Sequence, residues 1–198
     1  MEKFRIAYQL TSAFEGIYSN DPDDRGKETV RGISRKVWPA WEGWKLVDAI
    51  KKQHPQTFVY ELAINAGLTA LVEQFYYENY WLRLSCDDFD QEIANELFDT
   101  GVNMGGLMAA TYFQQALNKL NRNQKDYPDM ITDGQIGYLT KNAYRQYMST
   151  SRFASRNHKQ LINWLLKWMN YYQLRKYDLI TEHDHAQEKY VPGWTERT

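Results

Sequence analysis

Apolar residues recur at helical spacing through most of the chain, separated by short polar stretches that carry glycine or proline. Near the start, Phe4, Ala7, Tyr8, Leu10 and Phe14 fall close to one stripe and predict a short amphipathic helix ending at Gly16. The run Ser19-Asn20-Asp21-Pro22-Asp23-Asp24-Arg25-Gly26-Lys27 is dense in turn formers and predicts a loop. Thr29, Val30 and Ile33 follow directly and make this the one place suited to a small β-hairpin. Ser34 is placed to cap a helix from Arg35, which Pro39 would interrupt.

Further on, Leu46, Val47 and Ile50 predict a helix over residues 44–53, and Phe58, Leu62 and Ile64 another over 57–66 that Gly67 breaks. A stronger stripe of Leu71, Val72, Phe75, Tyr76, Tyr80 and Leu84 predicts a helix over 68–84. Asp87 and Asp88 suit the start of the next, reaching about Thr100. Helices are also predicted over 107–120, 136–148 and 158–179, with the polar stretch 121–133 left as loop. The chain reads as all-α, with no βαβ alternation, no internal repeat and no long flexible linker. A division into two lobes would fall near residues 85–90, giving lobes of about 1–90 and 91–198 packed on one another.

Composition narrows the function. The length of 198 residues suits one domain or two small lobes, and 43% hydrophobic with 25% charged residues speaks for a folded chain. A net charge of −1 with no basic block argues against a nucleic-acid binder. The single cysteine, Cys86, excludes an internal disulfide. The N-terminal run MEKFRIAYQLTSAFEG lacks the apolar core and small-residue site of a standard signal peptide, and no stretch is apolar enough to span a membrane. Aromatic residues are abundant at 15%, with 15 Tyr and 7 Trp. They serve either as amphipathic packing or as platforms for stacking a ligand.

One spacing carries candidate chemistry. Glu15, flanked by Phe14, Ile17 and Tyr18, suits a carboxyl kept protonated by an apolar setting. Asp24, among Asp, Arg and Gly, suits one that stays ionised, and Thr29 has a hydroxyl for a water. Such a carboxyl pair is what glycoside hydrolysis uses. By spacing alone, a surface carboxylate at a helix end and a turn aspartate are the commoner explanation.

A resemblance adds weight. Glu15-Gly16-Ile17-Tyr18, then Asn20-Asp21-Pro22, Asp24, Glu28-Thr29 and Gly32-Ile33-Ser34, resemble the opening signature of the glycoside hydrolase 108 muramidases, also called secretion activator proteins. The Glu15–Asp24–Thr29 spacing is also similar to the triad of phage-type lysozymes. Asp99-Thr100-Gly101-Val102-Asn103-Met104-Gly105, Asp133-Gly134-Gln135-Ile136-Gly137 and Tyr190-Val191-Pro192-Gly193-Trp194-Thr195-Glu196-Arg197 resemble the peptidoglycan-binding region that accompanies that module. Three positions depart from the pattern: Ile17 and Lys27 stand where glycines are usual, and Tyr138 stands where a proline is common. Glycine at such places supplies φ > 0, where a branched Ile would be strained.

The resemblance implies a lysozyme-like α fold with a muramidase lobe over 1–90 and a helical peptidoglycan-binding lobe over 91–198. It implies hydrolysis of the β-1,4 bond between N-acetylmuramic acid and N-acetylglucosamine, with Glu15 as acid, Asp24 as base or charge stabiliser, Thr29 holding water, and no metal or organic cofactor. The substrate is then the peptidoglycan glycan strand, reached from the cytoplasm through a holin-like or secretion-system partner, with action at the periplasm or cell wall. Rival readings are a non-catalytic wall-binding secretion accessory and a lytic transglycosylase. Tyr18 and Asn103 are candidates for binding sugar, weighed equally against packing for Tyr18 and local capping for Asn103. Asp133-Gly134 reads better as a turn, the Glu182–His185 cluster as solvated tail, and Cys86 as buried or incidental.

Overall fold

The computed structural model describes residues 1–12, 16–20, 27–149 and 157–198. Among them are nine α-helices and one three-stranded sheet. The chain divides into two compact units, Tyr8–Asn79 and Met1–Ala7 with Tyr80–Thr198. Helix α1 (Glu2–Ser12) contributes its first residues to the latter unit and the rest to the former.

In the unit Tyr8–Asn79, strands β1 (Tyr18–Ser19), β2 (Thr29–Val30) and β3 (Ile33–Ser34) form an antiparallel meander in the order β1-β2-β3. The hairpin expected near Gly26 is thus two hairpins. The β2–β3 connection is Arg31-Gly32, with φ of 44° and 81°. Two consecutive left-handed residues make the tight turn whose twist matches that of the strands, and Gly32 adopts it without a Cβ penalty. Val30 and Ile33 point into the core with Trp44, Val47, Leu62, Leu68 and Val72.

No helix starts at Arg35. Ser34 is held in β3, its Oγ accepts from Val37 N at 3.4 Å in a turn, and Arg35 is drawn into ion pairs. The next helix, α2 (Gly43–Gln53), begins beyond Pro39 and ends with Lys51 and Lys52, cations that suit its C-terminal dipole. Helices α3 (Phe58–Ile64) and α4 (Ala66–Tyr76) are divided at Asn65, not at Gly67. The reason is a cap: Asn65 Oδ1 accepts from Leu68 N at 2.8 Å, so the new helix starts there and Gly67 lies in its first turn. A π turn, Tyr77–Trp81, extends α4.

In the second unit, a 3-10 turn at Cys86–Asp88 precedes α5 (Gln91–Met104) and α6 (Gly106–Leu120). Then come α7 (Tyr138–Ser149) and α8 (His158–His183), which Asn157 and Gln160 start with a reciprocal capping box. Helices α5, α6 and α8 pack together around Leu97, Phe98, Phe113, Leu117 and Leu165. Phe4, Trp81 and Phe98 meet edge to face at 5.7–6.0 Å. Cys86 is fully buried, and that burial pushes its thiol well up. The chain closes with a 3-10 turn at His185–Tyr190 and a short α9 (Val191–Glu196), whose Trp194 stacks on Tyr177 at 4.7 Å. Both lay beyond the last predicted helix, because the closing run has no stripe of its own.

Candidate functional site

Glu15 and Asp24 lie outside the described residues, so the site is built from what flanks them. Strand register pairs Ser19 with Thr29 and Tyr18 with Val30. The ends of the connection that carries Asp24 in sequence are therefore held side by side. Thr29 is half-buried on β2, and its Oγ1 donates to Lys27 O at 3.3 Å. With its proton so engaged, the hydroxyl oxygen keeps lone pairs to accept from a water.

Tyr18 is tied into a charged cluster. Its hydroxyl donates to Glu28 Oε1 at 3.2 Å and accepts from Lys51 Nζ at 3.3 Å. Lys51 also reaches Glu28 Oε1 at 3.3 Å, while Arg35 Nε lies 2.7 Å from Glu28 Oε2. Arg35 then grips Asp48 in a fork, at 3.1 and 2.6 Å, with its guanidinium 4.3 Å above the Trp44 ring. The bond to Tyr18 raises the pKa of Lys51, Asp48 raises that of Arg35, and Arg35 lowers that of Asp48. Each of these three shifts favours the ionised form of its group. The Tyr18 ring meets Phe58 edge-on at 4.9 Å, so Tyr18 packs and also shows a half-exposed face.

The two departures at usual glycine positions behave differently. Lys27 does take a left-handed conformation, with φ 55°, as a glycine there would. Ile17 is not among the residues of positive φ, so the branched side chain brings no such strain; its carbonyl accepts from Arg31 N at 3.0 Å. Arg31 is a residue the sequence did not flag. Its guanidinium donates to Thr69 Oγ1 and to the carbonyls of Leu62 and Ala63, each at 2.9 Å, and its own carbonyl accepts from Tyr76 Oη at 2.8 Å. The β2–β3 turn is thereby anchored to α3 and α4. The only hint in sequence was a basic residue before Gly32.

Asn103 belongs to the other unit. It is exposed near the end of α5, and its amide donates to Tyr177 Oη, which leaves Oδ1 as an acceptor. Asp133 behaves as a turn residue: Oδ1 accepts from Gln135 N at 2.9 Å and from Gln114 Nε2 at 2.8 Å. His185 pairs with Glu188 at 3.0 Å, and among the described residues no group of three or more His, Cys, Asp or Glu side chains is arranged to hold a metal ion.

The family model of Glycosyl hydrolase 108 matches residues 8–105, and that of the Predicted Peptidoglycan domain matches 108–198. The chain belongs to the glycosyl hydrolase 108 family, with a peptidoglycan domain in its C-terminal half. It is thus a glycoside hydrolase of a peptidoglycan-directed family, with a mostly α, lysozyme-like fold. A solved structure described as Brucella abortus SagA is similar over 99% of this chain and 89% of that one, with a TM-score of 0.59 and 22% identity. At that identity the likeness bears on the fold. No curated protein matches the chain. Among the described residues, no helix is long and apolar enough to cross a membrane.

Proposed function

We propose that this protein is an N-acetylmuramidase that hydrolyses the β-1,4 bond between N-acetylmuramic acid and N-acetylglucosamine. The observation that carries the reading is the Ser19–Thr29 pairing inside the stretch matched by the hydrolase family. It holds together Ser19 and Thr29, the strand residues on either side of Asp24 in sequence. In this scheme Glu15 protonates the departing glycosidic oxygen, and Asp24 activates a water or balances the oxocarbenium-like charge. Thr29 Oγ1 accepts from that water and fixes its position. Tyr18 offers its half-exposed ring to a sugar, and Asn103 Oδ1 accepts from an acetamide N–H.

The lobe up to about residue 90 would carry the hydrolysis, and the helical lobe after it would hold peptidoglycan. Action is at the periplasm or cell wall, reached with a holin-like or secretion-system partner. The spacing parallel with phage-type lysozymes favours inversion, which requires carboxyl groups roughly 6.5–9.5 Å apart.

The test is release of reducing ends from purified peptidoglycan. Wild type should release them steadily, and Glu15→Gln should fall to the blank. Equal release by the two proteins sinks the enzymatic reading in favour of a wall-binding accessory. Mass spectrometry of the fragments should show reducing muramic acid; 1,6-anhydro ends would instead mark a transglycosylase.

A further inference from the structure

The unit Tyr8–Asn79 holds a groove of about 530 Å³ between the turn at Val37–Glu42 and the outer face of α4 with its π turn. That volume is in the range of small-ligand sites. The residues that matter are Trp38, Trp41, Glu42, Gln74, Glu78 and Asn79. The groove shares no lining residue with the Tyr18–Glu28–Lys51 cluster.

Its aromatic wall is held in place. Trp38 stands edge-on to Phe75, with centroids 4.9 Å apart and planes at 86°. Trp41 stands edge-on to Trp44 at 5.1 Å and 89°, and meets Phe75 at 6.0 Å. The Trp41 indole also closes over Gly43, where a Cβ would lie 2.3 Å from a ring carbon. Any side chain at position 43 would displace the ring, so glycine is what lets Trp41 lie there. Both Trp38 and Trp41 remain half-exposed, and neither indole N–H is bonded to a described residue.

The rim is polar and carries no positive charge among the described lining residues. Glu42 and Glu78 are carboxylates, and Gln74 and Asn79 are amides. Gln74 Nε2 donates to Glu78 Oε1 at 2.9 Å, and Asn79 Nδ2 donates to Phe75 O at 2.9 Å, which turns the remaining oxygens into acceptors. Indole faces pack against the C–H face of a pyranose, while planar carboxylates and amides suit its hydroxyls and acetamide. Two rim carboxylates disfavour anions, which argues against a nucleic acid or the carboxylates of stem peptides.

We propose that this groove is a saccharide subsite for uncharged N-acetylglucosamine units of a glycan strand, with Trp38 and Trp41 as the stacking platform. The proposal rests on the reading of the protein as a glycan hydrolase and adds a second place where the chain is gripped.

The test is an NMR titration of ¹⁵N-indole-labelled Glu15→Gln protein with tri-N-acetylchitotriose. The Trp38 and Trp41 indole N–H signals, assigned through Trp38→Phe and Trp41→Phe, should shift in a saturable way. Gln74→Ala, an exposed change that leaves the aromatic wall intact, should weaken that binding about fivefold or more with an unchanged melting temperature. Immobile indole signals at saturation, or shifts with a lysine-containing stem pentapeptide but not with the trisaccharide, overturn the proposal. Hydrolysis by wild type is scored separately against Glu15→Gln. Loss of the hydrolase reading with moving indole signals leaves the subsite standing, and hydrolysis with immobile signals removes the subsite alone.

Discussion

Arg31 donates from one guanidinium nitrogen to two carbonyls at once, those of Leu62 and Ala63, each at 2.9 Å. These are among the last carbonyls of α3, which have no acceptor role left within the helix. One side chain thus caps a helix and pins the turn between β2 and β3. Arg31→Ala should destabilise the protein by about 2–3 kcal/mol, the scale of charge-assisted hydrogen bonds lost from a half-buried site. Arg31→Gly loses the same bonds but relieves the φ of 44°. It should therefore be about 1 kcal/mol less destabilised than the alanine variant. Urea denaturation of the pair measures both differences.

Lys27 is at a φ of 55°, where the family usually has glycine. Its aliphatic chain is unbranched at Cβ, so the left-handed region is tolerable. Lys27→Gly should change stability by less than about 0.5 kcal/mol, since relief of strain and added unfolded-state entropy oppose each other. Lys27→Val should cost about 1–2 kcal/mol, because branching at Cβ makes that conformation an outlier. Thermal melts of the two variants should bracket the wild type unequally.

Two variants of Thr29 separate its proposed catalytic role from a structural one. Thr29→Val keeps the shape and strand preference but removes the hydroxyl that reaches Lys27 O. Turnover on peptidoglycan should fall on the order of 10²-fold. Thr29→Ser should retain most activity. A loss of melting temperature that tracks the loss of turnover would assign Thr29 to the fold instead.

Glu96 makes stability depend on pH. Burial pushes its carboxyl from 4.5 up to about 7; the hydrogen bond from Thr100 Oγ1 at 3.0 Å opposes this, and Asp99 adds to it. The folded protein keeps this proton where the unfolded chain loses it. The stability that Glu96 contributes is therefore full below about pH 4.5 and is lost as pH rises towards 7. Glu96→Gln keeps an acceptor for Thr100 and carries no charge. Its melting temperature should gain on that of the wild type between pH 5 and roughly pH 7.5 and run parallel above.

Much of this was readable from the chain alone. The helical stripes at Val72-Phe75-Tyr76, Ala109-Ala110-Phe113-Leu117 and Leu161-Ile162-Leu165-Met169 face inward as their spacing predicts. The family signature led from Glu15 to Thr29 and on through the C-terminal region. Boundaries were less legible. A cap at Asn65 overrode the glycine two residues later, and the pull of Glu28 and Asp48 on Arg35 kept a helix from starting there.

The sequence by itself determined what is local or patterned: the α class, the stripes that form the cores, the turn-rich stretch before Thr29, and the motif that places this chain among glycan hydrolases. Periodicity and turn chemistry act over a few residues, so they can be read without closing the chain. Only the tertiary structure decided which distant groups meet. Arg31 reaches Leu62, Lys51 reaches Tyr18, and the two tryptophans of one short turn face the amides of α4. Such pairings depend on loops of 30 residues or more closing in one geometry, and nothing in the neighbouring sequence encodes that closure.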